Sequence, residues 1–149
     1  MIPMKKILCL TALASALAAC QGGGRQDGEA QAADVARQFA EAYVQLDLHR
    51  ASSLCTPESR WWMSFLASNL TQADLDVYNA QPQAATAQAE GLTMLSDTTA
   101  RASLSVSGCL LLDSLGHSAR VAEEARLTLT LVRRDARWLV SLQGLPRPQ

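Results

Sequence analysis

The chain has 149 residues, with 13 Lys+Arg against 14 Asp+Glu, 48% hydrophobic residues and a mean hydropathy of +0.02. That is enough for one domain with its own core, too apolar for a disordered tail and too charged for a polytopic membrane protein. The near balance of charge argues against a nucleic-acid partner.

The N-terminus pairs Lys5 and Lys6 with an apolar run over residues 7–16, then Leu17-Ala18-Ala19-Cys20, Gln21 and three glycines. This order reads as a secretory leader over residues 1–19. As a helix, residues 7–19 would reach about 20 Å, short of the roughly 30 Å hydrocarbon core, so the leader cannot remain as a span. Leu17-Ala18-Ala19-Cys20 resembles the bacterial lipobox. The resemblance implies acylation of Cys20, which becomes the mature N-terminus, and a membrane partner through that anchor. Each buried CH₂ adds about 0.8 kcal/mol, so several chains would hold the protein at the cell envelope. Gln21 is not the aspartate used for inner-membrane retention, which favours the outer membrane and leaves the face open.

Loss of the leader removes both lysines and leaves eleven Arg against fourteen acids. A chain without lysine excludes Schiff-base chemistry, a P-loop and a polybasic membrane patch. Cys9 leaves with the leader and Cys20 carries lipid, so Cys55 and Cys109 remain as a pair. In an oxidising envelope this pair predicts a disulfide that stabilises by about 4 kcal/mol on the chain-entropy account. Two buried thiols, or a zinc site with His49 and His117, are the alternatives. Without a CxxC the zinc pattern is weak, and no metal or cofactor is expected.

Residues 21–33 hold four glycines and no large apolar side chain, which predicts a flexible tether over residues 20–33 and a single domain over residues 34–149. From Asp34, a candidate N-cap, Val35, Phe39, Ala42, Tyr43 and Leu46 recur at helical spacing. Asp47 looks like the cap of a short helix over residues 49–54. Thr56-Pro57 reads as the start of a third helix carrying Trp61, Trp62, Phe65 and Leu66, and Thr71 with Asp74 as the start of a fourth.

Beyond Pro82 the hydrophobic period changes from 3.6 to 2. Residues 86–95 make a weak first strand with a bulge expected at Gly91. Clear alternations follow in Ala102-Leu104-Val106, Ala125-Leu127-Leu129-Leu131 and Trp138-Val140-Leu142, the last two joined by a turn at residues 133–136. Helices followed by strands define an α+β class, with N-terminal helices covering the dry face of an antiparallel sheet of about four strands. Strict alternation leaves Cys109 on the wet face unless a bulge at Gly108 turns it inward.

The helix ending in Leu46-Asp47, the small helix with Ala51 and Leu54, the Cys55-Thr56-Pro57-Glu58 restart and the late strands ending in Arg137-Trp138-Leu139-Val140 are similar to a known layout. The chain resembles the nuclear-transport-factor-2-like superfamily over residues 34–145, in its small lipoprotein branch without assigned activity. The resemblance implies a cone, with a curved antiparallel sheet wrapping helices around a pocket. Its members include isomerases, dehydratases and many non-enzymes, some of them dimeric through the sheet, so fold does not settle activity and a homodimer stays open.

The dry faces carry no titratable group in their central stretches. Glu123 shares parity with Leu127 and is the one candidate base, alongside Tyr43 or His49; a frayed strand end would instead leave it in water. Residues 113–117 hold Asp, Ser and His but read as a hairpin loop, where triads rarely align. Trp61 and Trp62 lie about 100° apart on one helix, so one pair of Trp61/Phe65 and Trp62/Leu66 faces outward as a contact surface or pocket lip. Tyr43, Trp61, Phe65, Glu123 and Trp138 are the ligand-pocket candidates. The leading expectation is a lipid-anchored, non-catalytic binding or accessory domain for a small apolar ligand, a peptide or an envelope protein. The alternatives are a small isomerase, dehydratase or hydrolase using a pocket carboxylate, and an assembly accessory or inhibitor.

Overall fold

A computed structural model describes residues 23–112 and 119–149. The leader, Cys20 and the Asp-Ser-His segment at residues 113–117 lie outside these. Among the described residues four α-helices, α1 (Gly23–Val44), α2 (Leu48–Ser53), α3 (Arg60–Asn69) and α4 (Gln72–Asn79), precede six strands. The strands are β1 (Thr86–Met94), β2 (Thr99–Ser107), β3 (Cys109–Leu111), β4 (Arg120–Ala122), β5 (Ala125–Arg134) and β6 (Arg137–Ser141). An antiparallel sheet runs in the order β1-β2-β5-β6, and β3 and β4 form a separate pair.

The period-2 alternation sets the register of the sheet. Leu104 stands opposite Leu127, Ala102 opposite Leu129, Ala100 opposite Leu131, and Leu131 opposite Val140. All of these are buried, and α1 closes over them with Ala32, Ala36, Phe39, Ala40 and Val44. The small alanines let the helix approach the sheet closely, and Phe39 fills the space between them. The architecture is α+β, helices packed on a four-stranded antiparallel sheet, which is the layout implied by the resemblance.

The first helix departs from the expected start. Residues 23–33 are helical rather than a flexible tether, and Asp34 lies mid-helix, where its carboxylate accepts hydrogen bonds from Arg37 and Gln38 instead of capping. Glycine costs about 1 kcal/mol per helical position, so composition alone disfavours this extension. Tertiary packing outweighs it: Ala32 is fully buried, and Trp138 lies against Gly28. At its other end α1 closes with a Schellman motif. Leu46 adopts φ +58°, its N–H bonds to Tyr43 O, and the Asp47 N–H bonds to Ala42 O at 2.9 Å.

Local start signals are used where side chains can reach. Asp47 Oδ1 accepts from the Arg50 N–H, and Thr71 with Asp74 forms a reciprocal capping box on α4. The Thr56-Pro57 signal starts a single 3₁₀ turn (Pro57–Ser59), and α3 begins only at Arg60. Thr56 is instead held in an extended stretch beside β6: its N–H bonds to Val140 O, and the Val140 N–H bonds to Leu54 O.

Two irregularities shape the sheet. The β1–β2 register shifts between Ala89 and Gly91, so Glu90 is the extra residue of a bulge. At Gly108 (φ +71°) β2 ends, and the chain turns Cys109 into the core and starts β3. The β5–β6 hairpin has a two-residue loop, Asp135-Ala136, with both residues at positive φ as a type I′ turn requires.

Candidate functional site

A cavity of about 300 Å³ opens at the C-terminal end of α1. Tyr43, Val44 and Leu46 form one wall, Leu66 and Leu70 of the α3 end a second, and Cys109, Leu110 and Leu111 a third. The segment after β6 completes it with Leu145, Pro146 and Arg147, and Arg120 of β4 also lines it. This size sits at the lower end of small-molecule sites. Its lining includes two arginines and no acidic side chain among the described residues.

Each wall has a local cause. The Gly108 turn places three consecutive apolar residues on β3, where strict alternation along β2 would have continued outward. The left-handed Leu46 at the close of α1 directs the chain past the cavity rather than across it. A non-glycine residue there costs roughly 1–2 kcal/mol. The Tyr43 hydroxyl donates to Pro146 O at 3.0 Å and so ties the tail segment to the α1 wall. Burial, reinforced by neighbouring Cys109, pushes the Tyr43 phenol well above its ordinary range.

Of the five pocket candidates, the structure brings only Tyr43 to this cavity. Trp138 is 4% exposed and packs beside Gly28, about 24 Å along α1 from the cavity at 1.5 Å per residue. Its indole Nε1 has no hydrogen-bond partner there. Trp61 and Phe65 stack at 5.1 Å on the outer face of α3, with Trp61 57% exposed, because the buried positions of that helix are Met63 and Leu66. Trp62 sits between the two faces and meets Trp61 edge-on at 4.7 Å. Glu123 lies exposed at the bend between β4 and β5, away from the cavity lining, so the parity that paired it with Leu127 does not hold across that bend. His49 is exposed on α2. No group of three or more metal-ligating side chains occurs among the described residues.

The expected Cys55–Cys109 disulfide is not formed; both cysteines are free and buried. Cys55 follows α2, with its Sγ donating to Ala51 O and its backbone bridged to Val140 of β6. Cys109 instead opens β3 at the cavity, beside Tyr43. Burial pushes the Cys55 thiol up to about 12 against the opposing pull of Arg60, and raises Cys109 as well. Such thiols hold little thiolate near neutral pH and are inert while the fold is closed. Alkylation of the folded chain, read by peptide mass, is expected to leave both cysteines unmodified at least about a hundredfold longer than in denaturant. Recovery of a linked Cys55–Cys109 peptide would contradict that assignment.

The cavity residues that sequence reasoning passed over include Val44, Leu70, Leu110, Leu111, Arg120, Leu145 and Arg147. The uninterrupted apolar run at residues 109–112 after Gly108 is the one local signal that set this wall apart from the alternating strands.

No known family profile matches the chain, and no curated protein matches it. Among solved structures, a Mycobacterium tuberculosis protein of unknown function matches with a TM-score of 0.51 and 9% identity, over 87% of this chain and 78% of its own. A nuclear-transport-factor-2-like protein of unknown function from Shewanella oneidensis matches with a TM-score of 0.48 and 13% identity, over 77% of this chain and 93% of its own. At these identities the likeness concerns fold alone.

Proposed function

We propose that the protein is a lipid-anchored envelope protein whose α+β domain binds a small apolar ligand in the cavity between α1, α3 and β3. The single observation that carries this reading is the cavity itself, with apolar walls on three elements and a tail segment tied to its α1 wall by Tyr43. The anchoring half rests on the leader and on Cys20 within its lipobox-like surroundings. With α1 starting at Gly23, the folded domain would begin three residues after the acylated cysteine and work against the lipid surface.

A second reading is supported by the outer face of α3. Exposed Trp61 stacks on half-buried Phe65, and aromatic anchors of this kind dominate protein interfaces. An envelope protein docking there would make the domain an accessory factor. Catalysis through Glu123 has no support from its place on an exposed bend.

Native and denaturing mass spectra of the full chain, extracted from membranes, test both halves together. The denaturing spectrum is expected to show a polypeptide starting at Cys20 with acyl mass attached, and the native spectrum a further mass that is lost on denaturation. An unmodified chain would remove the anchor, and identical native and denaturing masses would move the assignment to the aromatic face.

A further inference from the structure

We infer that the ligand is an anionic amphiphile, an alkyl carboxylate whose chain lies on the leucine wall and whose head group meets Arg147 at the cavity mouth. The inference rests on the binding role proposed for this cavity. The chain without its leader has three more acids than arginines, yet the cavity gathers Arg147 and Arg120 and no acid among its described lining residues. A guanidinium beside an apolar cavity favours an anionic group on what enters.

The two arginines are not equivalent. Arg120 already engages another group. Arg147 is exposed and takes no part in the ion pairs among the described residues. It follows Pro146, whose carbonyl is fixed by the Tyr43 hydroxyl, so its backbone is held beside the cavity. A guanidinium offers paired N–H donors that match a carboxylate. An alcohol of the same length offers one oxygen and no charge. A cavity of about 300 Å³ accommodates a short alkyl chain.

Titration of the full chain with octanoate and with octanol at neutral pH, followed by calorimetry, gives the ratio of their affinities. That ratio is expected to exceed about tenfold in favour of octanoate and to collapse towards unity in Arg147→Gln. Equal binding of the two probes overturns the anionic head group while leaving the apolar cavity in place. A ratio that survives Arg147→Gln overturns the role of Arg147. Failure of both probes to bind overturns the cavity reading and this inference with it.

Discussion

Replacing Phe39 by alanine is expected to lower the unfolding free energy by about 3–5 kcal/mol. Phe39 is the largest fully buried side chain of α1, and its ring stacks on Tyr43 at a centroid distance of 5.8 Å and 11° between planes. The alanines around it, Ala32, Ala36 and Ala40, are too short to collapse into the space it leaves. The loss is a large share of the 5–15 kcal/mol typical of a domain. It is read as a drop in the urea midpoint with the slope unchanged. Because Phe39 supports Tyr43, the same variant is expected to loosen the tail at the cavity mouth. A change below about 1 kcal/mol would show that α1 does not seat on the sheet as described.

The second large effect concerns Gly108, where alanine is expected to cost about 2–5 kcal/mol. At φ +71° any L side chain is strained by about 1–2 kcal/mol. A Cβ there would stand 2.6 Å from Gln81 Oε1 and 3.2 Å from the Ala85 Cα. Gln81 cannot simply withdraw, since its Nε2 donates to Gly108 O at 2.9 Å, and Ala85 meets the Cβ with its backbone. Overpacking of this kind adds about 1–3 kcal/mol. Gly91 is the internal control: it lies at the β1 bulge, nothing stands within 4 Å of its Cβ direction, and its alanine variant is expected to stay within about 0.5 kcal/mol of the parent. Chemical denaturation of the two variants side by side separates a steric cost from a general intolerance of substitution in the sheet. Equal effects at both glycines would contradict the geometry at Gly108.

The sheet was the most legible part of this chain. Alternation of leucine, alanine and valine with serine, threonine and arginine specified which face of β2, β5 and β6 is dry, because a one-residue slip would expose every one of those side chains. Short-range polar signals were also readable: the Asp47 cap, the Thr71–Asp74 box, the bulge at Gly91 and the inward turn after Gly108 involve neighbours within a few residues. The start of α1 was hidden because glycine-rich composition speaks for a tether, while the packing of Gly28 on Trp138 comes from a strand more than a hundred residues away.

The cavity was harder to foresee for the same reason. Its walls come from the closing turn of α1, the last turn of α3, β3 and the tail, and no sequence period links Leu46, Leu70, Leu111 and Leu145. Aromatic residues drew attention by size, yet Trp138 was spent on the core beneath Gly28 and Trp61 faces outward because Met63 and Leu66 set the phase of α3. Glu123 was singled out by parity alone, and parity fails at a bend.

The most direct test of ligand binding in the cavity is a calorimetric titration of an apolar probe against the parent chain and Leu70→Trp. Leu70 lines the cavity from the extended C-cap of α3 and is only half-buried, so a larger side chain there fills space without entering the core. The parent is expected to bind octanol, and Leu70→Trp to bind it at least about tenfold more weakly with an unchanged circular dichroism spectrum. Equal affinity in the two proteins, or no binding by the parent, would contradict a ligand site between α1, α3 and β3.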